Sequence, residues 1–261
     1  MTNIKRKKAK RKSRQRQRTF GFSRTPKPGK KLGRKFGRKF GRKPGKDSGV
    51  THSARATLKT TTPVHITLKC GSDLPTLRDV HILRELNGIF RTVNRTSWLR
   101  IIDYSVQHDH VHMICEVRPG RTCDRQKFPR TLSLEETLGR EMQGLQVRIA
   151  NKLNTMWGRR GTVFPDRYHR EDLTSPSKVR NAIRYVLQNI FRHSSKTREE
   201  GMVQPDRFSS GAWFTGWEEP HLRVSHGALV DAPVCEPETW LLSVGWKLLG
   251  LISIKERPAG T

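Results

Sequence analysis

The chain has 261 residues, enough for one or two compact domains. Its 52 Lys and Arg against 23 Asp and Glu give a formal charge of +29 and a pI near 11.0. That balance points to a polyanionic partner, nucleic acid before an acidic membrane surface. No run of 18 apolar residues exists, no apolar segment follows the basic N-terminus, and Cys70, Cys115, Cys123 and Cys235 show no Cys-x-x-Cys spacing. A membrane span, a secretory signal, a zinc ribbon and a disulfide framework are therefore not expected, and a reducing cytoplasm is.

The charge is uneven. The first fifty residues hold 21 of the 52 bases and one acid, Asp47. Within 1–60, Gly33-Arg34-Lys35-Phe36 repeats as Gly37-Arg38-Lys39-Phe40 and decays into Gly41-Arg42-Lys43-Pro44. A segment so charged and glycine-rich buries too little apolar surface to offset the entropy of ordering. It reads as a disordered basic tail that binds phosphates without sequence preference.

Order is expected from about Pro63. Val64–Lys69 alternates as a strand, and Gly71–Pro75 breaks it. From Thr76 to Asn94, Leu77, Val80, Leu83, Leu86, Ile89, Phe90 and Val93 recur at threes and fours, which predicts an amphipathic helix. Thr96–Val106 and Val111–Val117 follow as strands. Strand, helix, strand, strand predicts an α+β, ferredoxin-like antiparallel sheet with helices on one face.

Ser133 and Glu136 form a capping box for a long helix to Trp157, which Gly158-Arg159-Arg160-Gly161 stops. Thr162–Phe164 is the expected fourth strand. Ser175 as N-cap and Pro176 at the first position open another helix. On its wheel Val179, Ala182, Ile183, Val186, Leu187 and Ile190 form the buried stripe. Counted at 100° per residue from Val179, Tyr185 falls at about 240° and Asn189 at about 280°, outside that stripe and one turn apart. Phe208–Trp217 reads as a packed loop, and Glu238–Ile252 as a closing helix.

The chemistry gathers in Gln107-His108-Asp109-His110-Val111-His112. Alternation along a strand turns His110 and His112 to one face, and Val111, Met113 and Cys115 to the other. Two imidazoles about 7 Å apart along the strand can share one divalent cation. Mixed nitrogen and oxygen ligation favours Mg²⁺ or Mn²⁺. Such an ion acts as a Lewis acid on a phosphate oxygen, and a tyrosine hydroxyl beside it can attack phosphorus. The chain has three tyrosines: Tyr104 in a strand, Tyr168 in a basic hairpin, and Tyr185 on a helix. Tyr168 competes with Tyr185 as nucleophile. His108 reads as a turn residue. Asn189 supplies a neutral oxygen suited to a third ligand, though local hydrogen bonding also explains it.

His110-Val111-His112, followed some seventy residues later by Tyr185-Val186-Leu187-Gln188-Asn189, resembles the single-tyrosine HUH transposases. Gly144-Leu145-Gln146, Gly158–Gly161 and Phe164–His169 extend the resemblance to the bacterial REP-associated tyrosine transposase branch, from about Pro63 to Trp217. The resemblance implies a metal-dependent endonuclease and strand transferase acting on single-stranded or hairpin DNA, often palindromic repeats, through a 5′-phosphotyrosine. It implies His110 and His112 as metal ligands, Tyr185 as nucleophile, and Asn189 as third ligand. Arg159, Arg160, Arg167 and Arg170 are expected to contact phosphate. The catalytic domain is then 61–200 and the C-terminal extension 201–261, in a monomer or homodimer of the bacterial cytoplasm. Two readings from other classes stand beside it: a catalytically silent hairpin-binding protein and a basic RNA-binding protein. The strands lack the aromatic pattern that stacks RNA bases.

Overall fold

The computed structural model describes residues 57–58, 60–119, 131–193, 203–223 and 231–257. The expected basic tail lies almost wholly outside the described residues. Leu58 is described and buried, and its N–H donates to Glu135 Oε2 at 3.0 Å, so the fold begins before Pro63.

The elements run β1 (Val64–Lys69), α1 (Val80–Thr96), β2 (Leu99–Val106), β3 (His110–Val117), α2 (Leu134–Met156), β4 (His169–Asp172) and α3 (Pro176–Leu187). Short helices α4 (Ile190–His193) and α5 (Trp240–Ser243) follow. The strands order β2-β3-β1-β4 with every neighbouring pair antiparallel, which is the expected ferredoxin-like sheet. No helix of the described residues is long and apolar enough to cross a membrane.

Local chemistry sets the helix ends. Asp79 accepts from the N–H groups of His81 and Ile82 and starts α1 four residues later than the apolar periodicity suggests. Ser133 and Glu136 form the expected capping box on α2, worth about 1 kcal/mol. Gly158 (φ 60) and Gly161 (φ 114) take the left-handed backbone that stops α2. Ser175 caps α3 through Lys178 N–H.

Two cores lie on opposite faces of the sheet. Val64, Ile66, Leu68, Val111, Met113 and Cys115 pack with the apolar stripes of α1 and α2. Ile102 and Ile114 pack with Val179, Ile183 and Val186 of α3 and with Phe214, Trp217 and Trp246. The two long helices thus share one face, while α3 and the C-terminal segment cover the other. Burying each such Ile or Leu contributes about 1.5–3 kcal/mol.

Three expectations are corrected. The fourth strand is His169–Asp172, not Thr162–Phe164. Val163 instead spends its carbonyl on Gly71 N–H, while β4 pairs with Val64–Thr67. The helix carrying Tyr185 ends at Leu187, with Gln188 as its cap, so Asn189 lies beyond it. The closing helix is broken. Val244 (φ −129, ψ −50) separates α5 from a 3₁₀ turn over Gly245–Leu249, and a Cβ on Gly245 would meet the Trp240 ring at 2.7 Å. Trp240 and Leu248 of its predicted stripe are exposed. The Phe208–Trp217 segment is packed as expected.

Candidate functional site

β3 sits between β2 and β1, so the face bearing His110 and His112 is flanked on both sides. Opposite His112 stand Thr67 on β1 and Ser105 on β2; opposite His110 stands Lys69. With Val64, Ile66 and Leu68 committed to the first core, alternation sends His65 and Thr67 to the histidine face. On β2, an irregularity between Ile101 and Asp103 shifts the alternation. Asp103 and Ser105 therefore share the histidine side while Tyr104 returns to the first core.

His110 and His112 lean together. Their ring centroids are 4.6 Å apart, nearly perpendicular at 83°. His110 Nδ1 lies 2.6 Å from Asp109 Oδ1. His112, 4 % exposed, has its Nδ1 3.1 Å from both His65 Nε2 and Thr67 Oγ1. An imidazole engaged at Nδ1 coordinates a metal through Nε2. Burial, with His169 nearby, pushes the His65 imidazole down from 6.5 to about 4, so it stays neutral at physiological pH.

α3 delivers Tyr185 to the same place. Its apolar stripe clamps the helix onto Ile102 and Ile114, and Tyr185, outside the stripe, sets its ring edge-on to His112. The centroids are 5.1 Å apart at 81°, and those of Tyr185 and His65 are 5.8 Å apart. The half-buried Tyr185 thus joins the histidine pair. Its rivals do not share its setting. Tyr104 is fully buried and donates its hydroxyl to Asn87 Oδ1 at 2.8 Å. Tyr168 is 7 % exposed within the first core. His108 is an exposed turn residue whose Nδ1 lies 3.1 Å from Thr76 Oγ1.

Asn189 is fully buried, and neither its amide oxygen nor its nitrogen has a hydrogen-bond partner. An unpartnered buried amide costs about 1–3 kcal/mol. Among the described residues no three His, Cys, Asp or Glu side chains group as a metal site. His110 and His112 together offer two imidazole nitrogens to one ion, and Asn189 lies two residues beyond the end of the helix that carries Tyr185.

Of the four arginines, Arg160 and Arg167 are exposed, and half-buried Arg159 donates to Asn154 Oδ1 at 3.2 Å. Arg170 is a correction. Its side chain is 3 % exposed and bound to Glu135 and Asp172, so phosphate cannot reach it without breaking both pairs. His65 was missed because its place beside the histidine pair depends on β1 pairing with β3. The alternation of Val64–Lys69 did place it on the polar side of β1.

A cavity of about 190 Å³ opens between β2, α3 and the C-terminal segment. Its lining includes Asp103, Ile183, Trp213 and Trp246 and does not include the histidines or Tyr185.

No family model and no curated protein matches the sequence. Among solved structures, the chain is similar to a REP-associated tyrosine transposase bound to a REP hairpin. The identity is 14 % and the TM-score 0.43, over 62 % of this chain and 82 % of that one. It is also similar to a protein of Deinococcus radiodurans R1 named as a candidate transposase. There the identity is 13 % and the TM-score 0.34, over 49 % of this chain and 90 % of that one.

Proposed function

We propose that the chain is a metal-dependent endonuclease and strand transferase that cleaves single-stranded or hairpin DNA through a 5′-phosphotyrosine. One observation carries this reading: Tyr185 stands edge-on to His112, 5.1 Å between centroids, in a cluster with His110. His110 and His112 would hold a divalent ion, Mg²⁺ or Mn²⁺. Asn189 is assigned as the third ligand because its buried amide is unpartnered. Once bound, the ion supplies Lewis-acid polarisation of a phosphate oxygen and holds the scissile group in register.

Tyr185 carries the covalent step. Its hydroxyl oxygen attacks phosphorus, the bond to the 3′ oxygen breaks, and the phenolic proton reaches that oxygen through solvent. The products are a 5′-phosphotyrosine and a free 3′-OH. The reverse attack rejoins strands without a nucleotide cofactor, because the ester retains the phosphodiester energy. Arg159, Arg160 and Arg167 are assigned to the substrate backbone, where each contact adds salt-dependent affinity.

The test is incubation of the full chain with a labelled single-stranded hairpin and Mn²⁺, followed by denaturing electrophoresis and mass spectrometry. Wild type should yield a protein–DNA adduct at Tyr185. Tyr185→Phe should yield none while binding the hairpin with unchanged affinity. An adduct surviving that substitution removes the assignment, and a wild type that binds without forming one leaves a hairpin-binding protein.

A further inference from the structure

Resting on the metal reading above, we infer that His65 and Thr67 are positioning residues that hold His112 in its Nδ1–H tautomer and so present its Nε2 to the ion. A neutral imidazole donates from one ring nitrogen and accepts at the other. A metal needs the accepting one, so whatever fixes the proton on Nδ1 decides whether Nε2 is ready to coordinate. His65 Nε2 and Thr67 Oγ1 each lie 3.1 Å from His112 Nδ1, and in the inferred tautomer both accept its proton as a shared hydrogen bond. Both come from β1, and Thr67 stands directly opposite His112 in the ladder. The backbone therefore fixes this contact, not a flexible loop.

Burial makes the arrangement stiff. His65 is 9 % and His112 4 % exposed, and their rings lie 5.2 Å apart at 33°. Water therefore competes little for Nδ1. The corresponding contact at His110 is made by Asp109, whose side chain is 49 % exposed and stands at the turn. His112 is thus the firmly oriented ligand of the pair, and His110 the adjustable one. His65 does not itself ligate, because the Nε2 lone pair that would do so is engaged by His112. Loss of such an outer partner typically weakens metal affinity about 10–100-fold.

The test reads the tautomer directly. Long-range proton–nitrogen spectra of the ¹⁵N-labelled full chain, without metal, should show His112 protonated at Nδ1. In the His65→Leu/Thr67→Val double variant the ring should give the averaged shifts of mixed tautomers. Calorimetry with Mn²⁺ should show affinity about 10–100-fold weaker in that variant. His65→Gln, whose side-chain carbonyl can accept, should recover most of it. Should the double variant fail to fold, the near-isosteric Thr67→Val carries the test, with a loss of about threefold or more expected from removing one of two acceptors. His112 protonated at Nε2 in the wild type overturns the inference, as does Mn²⁺ affinity unchanged in a folded variant. A wild type with the Nδ1–H tautomer that binds no Mn²⁺ sinks the metal reading and, with it, the purpose assigned here. Binding with unaltered tautomers sinks the positioning role alone.

Discussion

Asp103 offers the sharpest quantitative test of how the histidine face is built. It is 4 % exposed and accepts a hydrogen bond from Ser210 Oγ at 2.8 Å. Burial pushes its carboxyl up from 3.8 to about 7, and the Ser210 hydrogen bond recovers part of that rise. Because the folded value is the higher one, the folded protein favours the protonated form. The stabilisation is complete below pH 3.8, is lost as the pH rises through about 7, and is absent above. A rise of about 3 units at 1.36 kcal/mol each is about 4 kcal/mol, a large share of an ordinary domain's stability. Asp103→Asn replaces the acid with a neutral group whose oxygen can still accept from Ser210. Any constant cost of the amide cancels when the pH dependence alone is compared. Urea unfolding of both proteins between pH 3.5 and pH 8 should show wild type losing about 4 kcal/mol relative to the variant as pH rises. A difference constant within about 1 kcal/mol would show that the carboxylate keeps its solvation in the folded state, refuting the burial argument.

Other consequences are simpler to state. Arg170→Ala should cost about 1.5–3 kcal/mol in urea unfolding, because Glu135 and Asp172, 31 % and 29 % exposed, lose a charged hydrogen-bond partner but stay open to water. A loss below about 1 kcal/mol would return Arg170 to the surface-contact class. Arg160→Ala should leave unfolding unchanged but weaken hairpin binding and lower the salt slope by about one ion, measured by titration at several salt concentrations. Tyr168→Ala should destabilise by about 3 kcal/mol, as removal of a buried ring does, while the folded fraction still forms the covalent adduct. Asn189→Ala should leave stability within about 1 kcal/mol, since it removes an amide already paying its desolvation cost. The same change should weaken Mn²⁺ binding in calorimetry; undiminished affinity would strike Asn189 from the ligand set.

What the sequence made legible is what short-range periodicity controls. His110 and His112 fall on one face because a strand alternates, and Tyr185 falls outside its stripe because a helix turns every 3.6 residues. The capping box at Ser133 and Glu136 needs no knowledge of the fold. The misses are the residues whose placement depends on distant partners. β4 is an edge strand of His, Arg, Glu and Asp with no apolar alternation to reveal it. The end of α3 carries no Gly or Pro signal. Gln188 leaves the helix with its side chain donating to Ser253 O at 2.6 Å, while Phe191 N–H turns back to Gln188 O. A wheel drawn through Gln188 therefore put Asn189 on a helix that had already stopped.

The second face of the sheet explains why the site sits where it does. One end, at Ile102 and Ile114, is apolar and holds α3 by its stripe. The other end carries Thr67, His110 and His112, with His65 between the two, directly opposite Ile114; these residues pack no better than aliphatic ones and cost desolvation. A helix gripped at the apolar end is held in rotation as well as in position, since turning it would expose Val179, Ile183 and Val186. That grip fixes where Tyr185, two residues past Ile183, must hang. The tyrosine is aimed by the hydrophobic contacts of its neighbours, which keep its ring half-buried over the histidines. Replacing Ile183 should therefore disturb the geometry of Tyr185 before it disturbs the histidine pair, which the β1–β3 ladder secures separately.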